Sequence, residues 1–330
     1  MKWELQDYDR ELFERELQNF LPPRIFDAHA HFFRKSKFNA EGPTIQRERQ
    51  EFSDLSFYLE KIADLHADRQ SGGLFFAYPD EESESEFDNH VVATEIRRSA
   101  NCLGQMLIRP EMDPEYVRER VQQEKFVGLK CYHVYAKERP TMDAHIPSFL
   151  PEEHVRIAHE EGLSITLHIV RPRALSDPAN QDVIRRYAER YPNARLILAH
   201  AARGFNPYHT IEGIPSLRGL SNVWFDTSAV TEVGAFEAIV QAMGVERLLY
   251  GSDFPISHFR GRCVAIGDSF HWLSMENTNF NAGYMEVRPT LVGIESLRVL
   301  KHACLNLRLA DREVESIFYG NAAQLFGLTR

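Results

Sequence analysis

The sequence is poor in cysteine and lacks long apolar runs, and each shortage excludes a class of protein. Its four cysteines lie far apart and form no C-x-x-C pair, so we expect reduced, mostly structural thiols in a cytoplasmic protein. No apolar run approaches the roughly 20 residues that cross a bilayer, which argues against a membrane protein. The first residues are polar and acidic, unlike a signal peptide.

The chain also has fewer basic than acidic residues. The chain has 38 Lys and Arg against 48 Asp and Glu, which gives a formal net charge of −10. This balance argues against nucleic acid or an anionic membrane as the main partner. With 330 residues, 43% of them hydrophobic, the chain is long enough for two medium domains or for one large α/β barrel.

Short apolar runs alternate with helix-like segments along most of the chain. The eight strand-like runs are 24–32, 72–78, 101–108, 126–134, 164–170, 195–202, 222–229 and 248–255. The helix-like segments between and after them are 54–70, 88–99, 113–124, 151–161, 179–190, 208–219, 234–243 and 291–302. Strands that are apolar on both faces indicate a parallel sheet covered by helices. Eight units predict an α/β (β/α)8 TIM barrel, and no Gly-rich phosphate loop supports an open doubly wound sheet.

Three segments lie outside this repeating pattern. Residues 1–23 predict an N-terminal helical extension packed outside the main core, with a contact in a homo-oligomer as the alternative. Residues 33–53 and 256–290 follow the first and eighth strands, where long loops build and cover barrel active sites. Because no repeat or linker interrupts the chain, we expect residues 1–330 to form a single domain.

The first strand carries the pattern His-x-His. His29 and His31 point the same way in a regular strand, with Asp27 one pleat behind them, because alternate side chains share a face. Two imidazoles one pleat apart can hold one metal ion. Since a metal needs three or four ligands, other strands must supply the rest.

Polar residues recur at the carboxyl ends of the later strands, where barrel active sites lie. Lys130 is on the fourth strand, His168 ends the fifth, His200 ends the sixth and Asp253 ends the eighth. Burying such polar groups in apolar strands costs free energy unless they are paired or bound to a metal. Their recurrence predicts a metal site at the barrel mouth.

Taken together, these motifs resemble the amidohydrolase superfamily, in the amidohydrolase-related branch that also contains metal-dependent decarboxylases. The resemblance runs from about Arg24 to Gly327 and includes residues 250–255, Tyr-Gly-Ser-Asp-Phe-Pro, and the closing segment 320–327. It implies one divalent ion, usually zinc, with manganese or iron as alternatives. The implied ligands are His29, His31, His168 and Asp253.

Under this resemblance, the number of metal ions depends on the roles of Lys130 and His200. In two-metal members, a fourth-strand Lys carboxylated by carbon dioxide bridges the ions, and the sixth-strand His holds the second one. In single-metal members the Lys serves as a cation for the substrate, and the His contacts the substrate. We favour one ion over two.

These residues together predict a hydrolytic mechanism. A divalent ion lowers the pKa of bound water from 15.7 toward roughly 7. Asp253 would take the proton of that water and return it to the leaving group, while His200 helps to polarise the attacked carbonyl. We therefore expect a hydrolase for an amide, lactone or ester. A decarboxylase for an aromatic or enoic acid is the alternative, and a non-catalytic binding barrel is a third hypothesis.

Arginines near the predicted mouth indicate an anionic, carboxylate-bearing small molecule as substrate. Arg203 and Arg171 are the preferred substrate residues, followed by Arg109. Tyr132 and His133 lie within reach of the same mouth. Asp226, at the end of the seventh strand, is either a partner of a metal ligand or a cap for the next helix, and we favour the cap.

Overall fold

A computed structural model describes residues 4–34, 52–79, 84–275, 277–281 and 286–328. Eight parallel strands alternate with helices in a nearly closed (β/α)8 barrel, which confirms the predicted fold class. The strands are β1 (Arg24–Arg34), β2 (Phe52–Ser53), β3 (Gln70–Ala77), β4 (Cys102–Leu107), β5 (Gly128–Cys131), β6 (Ser164–Leu167), β7 (Arg195–Leu198), β8 (Val223–Asp226), β9 (Leu248–Leu249), β10 (Gly261–Ile266) and β11 (Ser269–Ser274).

The helices lie close to their predicted positions. They are α1 (Asp7–Glu16), α2 (Leu55–His66), α3 (Ser85–Ile96), α4 (Pro114–Glu124), α5 (Glu152–Glu160), α6 (Pro178–Arg190), α7 (Pro207–Gly213), α8 (Val233–Met243), α9 (Val292–Asn306), α10 (Asp311–Glu315) and α11 (Asn321–Phe326). Local chemistry explains their starts: Asp113 caps α4 and Asp177 caps α6, each just before a proline in the first turn.

The barrel closes between β1 and the segment that follows β9. The sheet order is β2-β1-β3-β4-β5-β6-β7-β8-β9, with β2 antiparallel to the end of β1. Backbone hydrogen bonds then join the two ends of the barrel: the Asp253 amide donates to the His29 carbonyl at 2.8 Å, and the His31 amide donates to the Phe254 carbonyl at 2.9 Å. The predicted loop 33–53 lies mostly outside the described residues.

An irregularity in β1 changes the face on which its side chains lie. The register with β3 shifts between Asp27 and Ala30. Asp27 accepts a hydrogen bond from Tyr58 of the outer helix α2 at 2.9 Å, whereas His29 contacts Phe76, which belongs to an inner cluster that includes Phe26. The expectation that Asp27 lies one pleat behind His29 on the same face is therefore wrong, because a bulge reverses the alternation.

The barrel interior has an apolar layer beneath a polar one. Side chains from four strands and from the closing helix α11 form the apolar layer: Phe26, Ala28, Leu74, Phe76, Ile197, Leu249, Ala322 and Leu325. The polar residues at the carboxyl ends of the strands lie above it. The apolar layer excludes water from the barrel floor, so the polar groups above it are held in a rigid, low-dielectric setting.

The N-terminal extension contains the predicted helix, but the expectation that it packs outside the main core is wrong. Phe13 and Leu17 join the main hydrophobic core. The buried carboxylate of Asp9 accepts from Arg260 at 3.1 and 2.6 Å and from the Thr290 hydroxyl at 2.6 Å. Removing one partner of such a buried pair typically costs about 3–5 kcal/mol. Helix α1 therefore holds both ends of the segment that contains β10 and β11.

Two further expectations concern thiols and membranes. All four cysteines are buried and free, as their spacing predicts. Within the described part of the chain, no helix is both long and apolar enough to span a bilayer.

Acid should destabilise the fold through His66, which lies buried between α2 and the barrel. Its Nε2 is 2.9 Å from the Tyr250 hydroxyl, and its Nδ1 is 2.9 Å from the Ser71 hydroxyl. Burial, with nearby His258, lowers the pKa of His66 to about 3 from 6.5. Below pH 6.5 the His66 side chain of the unfolded chain binds a proton, whereas the buried side chain of the folded protein does not. The free energy of unfolding therefore falls as the pH drops toward the pKa of His66 in the folded protein.

We expect His66→Gln to lose less stability than the wild type between pH 7 and pH 5. pH 5 lies roughly 1.5 pH units below the ordinary pKa, which corresponds to about 2 kcal/mol for this one imidazole. Urea unfolding at both pH values, with a chelator present so that no metal contributes, measures the difference. The exposed His302→Gln variant is the control. Equal pH dependence in both variants would show that His66 carries no such penalty.

Candidate metal centre

Four predicted residues meet at the carboxyl end of the barrel. The Asp253 carboxylate lies 3.4 Å from His31 Nε2, 3.5 Å from His29 Nε2 and 3.9 Å from His200 Nδ1. Within the described residues, one group of three could hold a metal: His29, His200 and Asp253, whose ligand atoms lie within 4.8 Å of one another. The backbone of β1 and the barrel-closing segment bring these groups together.

Hydrogen bonds fix which nitrogen each imidazole of β1 presents. His29 Nδ1 donates to the Asp226 carboxylate at 2.9 Å, which leaves Nε2 without a proton and facing Asp253. His31 Nδ1 is 3.4 Å from the Ala77 carbonyl, and its Nε2 also faces Asp253. A carboxylate behind a histidine is a common arrangement at metal centres, because it orients the ring and raises its basicity.

Asp226 supports the centre and does not cap the next helix. Its second carboxylate oxygen accepts from the His200 amide at 2.9 Å and from the Ser228 amide at 3.2 Å. Helix α8 begins at Val233 after Glu232, so the predicted capping role is wrong. Burial alone would raise the pKa of Asp226, but the His29 imidazole holds it well below the ordinary value. The sequence signal was its place at a strand end, like the other site residues.

His200 follows β7 in an unusual turn. Residues 200–203 all have left-handed backbone angles, with φ between 52° and 58°, although none of them is glycine. His200 Nδ1 donates to the Ser228 carbonyl at 2.9 Å, so its Nε2 is the basic atom. Non-glycine residues rarely adopt this conformation in succession, and such strain is concentrated at functional sites.

His168 completes a row of imidazoles. Its ring centroid is 4.9 Å from that of His200, which is in turn 4.9 Å from His29. Its Nδ1 is buried and has no hydrogen-bond partner within the described chain. A buried polar atom without a partner is costly unless a ligand satisfies it. His168 therefore lies beside the group of three with an unused donor or acceptor.

The charge state of these groups suits cation binding. Burial lowers the pKa of His200 to about 4, lowers the pKa of His29, and lowers that of His168 well below its ordinary value. The imidazoles are thus neutral at pH 7, the form that binds metals. Neutral nitrogens with fixed tautomers beside a carboxylate fit a divalent cation.

Lys130 lies fully buried against the same centre. Its Nζ is 3.5 Å from His29 Nε2 and 4.4 Å from the ring centre of Phe76. Burial lowers the pKa of Lys130 to about 8, although Asp226 and Asp253 act in the opposite direction. Lys130 is placed where either of its predicted roles, bridging ligand or substrate cation, could be carried out.

Arg203 lies at the edge of the centre as a buried guanidinium. It is 8% exposed, and no hydrogen bond or ion pair engages its side chain in the part of the chain described here. The guanidinium lies 5.3 Å from the ring centre of Phe270, and burial lowers its pKa. A buried cation without a counter-ion indicates that an anion belongs beside it.

Tyr132 and His133 lie near the same mouth. The Tyr132 ring is 4.5 Å from that of His168, and the His133 ring is 5.4 Å from it. His133 Nδ1 is 3.3 Å from the Thr141 hydroxyl, and burial lowers its pKa to about 4, with Arg203 adding to the effect. The structure thus brings both predicted residues to the wall of the site.

The other two predicted arginines are engaged elsewhere. Arg171 donates to Asp177 at 2.7 Å and to the Asp143 carbonyl at 2.9 Å. Arg109 donates to the Ser85 hydroxyl at 2.8 Å and stacks on Tyr135 at 4.3 Å. These contacts tie loops together, and a substrate role for Arg171 or Arg109 stays a prediction.

An aromatic wall beside Arg203 was not predicted. Phe205 lies 5.0 Å from Phe270 and 5.5 Å from Trp272, and its ring is 5.3 Å from His200. Phe270 and Trp272 lie within the predicted loop 256–290, where the structure has the β10–β11 hairpin. Only the alternation around Gly267 and the aromatic content of residues 269–274 hinted at this hairpin.

Comparison with solved structures places the fold among similar barrels. A 5-carboxyvanillate decarboxylase from Sphingomonas paucimobilis is 13% identical, with a TM-score of 0.58, and the match covers 93% of this chain and 100% of that chain. A candidate 2-pyrone-4,6-dicarboxylic acid hydrolase from Pseudomonas putida is 16% identical, with a TM-score of 0.59, and the match covers 94% and 100%. A dihydroxybenzoic acid decarboxylase from Polaromonas sp. JS666, with bound manganese and 2-nitroresorcinol, is 13% identical, with a TM-score of 0.58, and the match covers 94% and 98%.

No curated protein sequence matches the chain. The amidohydrolase family, of the amidohydrolase-2 type, matches residues 26–328, which is most of the chain and includes every residue of the centre described above. This family is metal-dependent, and the buried histidines and Asp253 provide a candidate site for the ion. The protein therefore belongs to the amidohydrolase family.

Proposed function

We propose that the protein is a metal-dependent hydrolase that cleaves an amide, lactone or ester bond in a small, carboxylate-bearing molecule. The observation that carries this proposal is the position of Asp253, whose carboxylate lies within 3.5 Å of both imidazoles of β1 at the barrel mouth. A carboxylate in that position can both hold a cation and exchange a proton with water. The family assignment supports an enzyme but leaves the reaction open.

The proposed cofactor is one divalent ion, with zinc first and manganese or iron as alternatives. Its proposed ligands are His29, His31, His168 and Asp253, with His200 as a further candidate. The single group of converging ligand atoms in the described chain supports one ion over two. A divalent ion supplies a Lewis acid that polarises a carbonyl and lowers the pKa of water toward roughly 7.

The chain's own residues would carry the proton and orient the substrate. Asp253 would accept a proton from the attacking water and return it to the leaving atom, a role for which positioned acids and bases contribute about 10²–10⁴-fold. His200 donates its Nδ1 proton to the Ser228 carbonyl, so its Nε2 carries a lone pair that would serve as a ligand to the ion, and the neutral ring has no N–H left for the carbonyl-polarising role expected from the sequence. Asp226 would keep His29 oriented throughout.

Arg203 is the proposed binding group for the substrate carboxylate. Its guanidinium is buried without a counter-ion among the described residues, and guanidinium groups bind carboxylates through paired hydrogen bonds. The guanidinium carbon lies 5.3 Å from the ring centre of Phe270, and this contact uses none of the N–H groups that would donate to an anion. Tyr132 and His133 would complete the wall around that group.

A decarboxylase is the second candidate, and the aromatic wall favours it. Phe205, Phe270 and Trp272 form a cluster of flat rings, and Phe270 of this cluster lies beside Arg203, an arrangement that would suit an aromatic acid. Two of the solved structures compared above are decarboxylases, of 5-carboxyvanillate and of dihydroxybenzoic acid, at identities too low to transfer their reaction. In this case Asp253 would first take a proton from solvent water and then donate it to the substrate carbon as the bond from that carbon to the carboxylate breaks and carbon dioxide leaves.

The first experiment identifies the reaction. Purified protein loaded with zinc or manganese is assayed on lactones, amides, esters and aromatic acids in ¹⁸O-labelled water. We expect ¹⁸O in the product, and metal analysis by mass spectrometry should find about one ion per chain. Carbon dioxide release without ¹⁸O incorporation would instead establish the decarboxylase, and a content near two ions would overturn the single-ion proposal.

Replacing Asp253 should abolish turnover. We expect Asp253→Asn to lower kcat by at least about 100-fold, because the amide cannot accept the proton. The assay uses the substrate found above, with metal content measured on the same sample. Asp68→Asn, an exposed aspartate paired with Arg69 at the opposite end of the barrel, is the control. Near wild-type activity in Asp253→Asn would refute its assigned role.

Parallel variants can show whether Arg203 or Arg171 binds the substrate carboxylate. We expect Arg203→Gln to raise KM by roughly 10–100-fold, because hydrogen bonds to a charged group contribute about 1.5–3 kcal/mol. Arg171→Gln should change KM much less, since Arg171 is bonded to Asp177. Steady-state kinetics on both variants decides the point. A larger effect at Arg171 would reassign the carboxylate site.

A further inference from the structure

The β10–β11 hairpin covers one side of the site and forms a two-stranded sheet of its own. Its strand β11 carries Phe270 and Trp272, which pack on Phe205 at 5.0 and 5.5 Å. Phe270 also lies against the guanidinium of Arg203. The environment of that buried cation therefore depends on where the hairpin is held.

The base of the hairpin is fixed by buried contacts. Arg260, directly before β10, is bonded through two nitrogens to the buried Asp9 of helix α1. Gly261 donates to the Thr290 carbonyl at 3.0 Å, and Thr290 bonds Asp9 as well. Because a buried pair resists separation, the base acts as a rigid attachment.

The tip of the hairpin is held by the residues that follow the strained turn. The buried Asn206 amide donates to the Gly267 and Ser269 carbonyls at 3.1 and 2.9 Å. Asp268 at the tip accepts from His209 at 3.1 Å and pairs with Arg173 Nε at 3.3 Å. The Asp268 side chain is 67% exposed, so its ion pairs are weaker than the buried pair at the base.

We propose that Asp268 is a positioning residue for substrate binding: through His209 and Arg173 it holds the hairpin tip so that Phe270 covers Arg203. Asp268 touches neither the metal ligands nor Arg203 and acts only through the hairpin. The covered guanidinium stays dry, which strengthens its attraction for a carboxylate. The consequence for substrate binding rests on the proposed role of Arg203, whereas the anchoring of the tip does not.

Two measurements on zinc-loaded protein test this proposal. Hydrogen–deuterium exchange over residues 269–274 reports on the hairpin, and calorimetric titration with benzoate, a flat monocarboxylate probe, reports on the anion site. The variants are Asp268→Ala and the conservative Asp268→Glu. Asp68→Ala, which removes an exposed aspartate at the opposite end of the barrel, is the matched control.

We expect Asp268→Ala to increase exchange in residues 269–274 and to weaken benzoate binding by about three- to fivefold, the range that exposed ion pairs contribute. Zinc content should stay unchanged, Asp268→Glu should restore much of the affinity, and Asp68→Ala should resemble the wild type. A merely structural role would alter stability without this selective loss of benzoate affinity.

The outcomes separate the inference from the proposed function. Unchanged exchange in Asp268→Ala would overturn the anchoring role of Asp268. Increased exchange with unchanged benzoate affinity would overturn its effect on the anion site. If neither the wild type nor Arg203→Gln binds benzoate, the carboxylate assignment of Arg203 fails, and the exchange data alone still decide whether Asp268 anchors the tip.

Discussion

The hydrogen bond from His29 to Asp226 is the interaction on which the candidate centre depends. At 2.9 Å between two fully buried groups, it settles the tautomer of His29 and presents Nε2 to Asp253. The same carboxylate accepts the backbone amide of His200. One buried anion therefore orients the His29 imidazole and fixes the backbone that carries His200, and burial of Asp226 is tolerated because each of its oxygens has donors.

The layering of the barrel explains why such a cluster can exist. Below it, Phe26, Leu74 and Phe76 fill the interior, and α11 closes the floor. The bulge in β1 lets the same strand contribute Phe26 to the apolar layer and His29 to the polar one. A regular strand would have placed Asp27 inside with the two histidines, whereas the bulge turns Asp27 toward Tyr58.

Much of this centre could be predicted from the sequence because its signals are local. A polar residue at the carboxyl end of an apolar strand identifies a mouth residue, and this reasoning found His29, His31, Lys130, His168, His200 and Asp253. The bulge could not be found in this way, since it depends on pairing with β3. The role of Asp226 was misjudged because its partner, His29, lies 197 residues away in the chain.

The difference between the two arginines could likewise not be predicted from local sequence signals. Arg203 and Arg171 are alike in sequence terms, since each follows a strand that ends in histidine, and both have left-handed backbone angles. They differ only in their partners: Asp177 neutralises Arg171, whereas Arg203 is buried against Phe270. That difference arises from tertiary contacts of the hairpin, which no local pattern encodes.

The strained turn after β7 connects these features. Left-handed angles cost roughly 1–2 kcal/mol for each non-glycine residue, so residues 200–203 carry several kcal/mol together. The strain is held by specific bonds: the His200 amide donates to Asp226, and the Ala201 carbonyl accepts from Thr210 at 3.0 Å. In this turn Arg203 lies three positions after His200, so one short segment supplies both an imidazole of the candidate metal centre and a guanidinium beside Phe270. A right-handed helical turn would also place residues three apart on one face, so what the left-handed turn sets is the direction in which His200 and Arg203 leave the end of β7. Strain that persists here, against the preference of every residue in the turn, agrees with the proposed function, in which His200 and Arg203 face one small molecule.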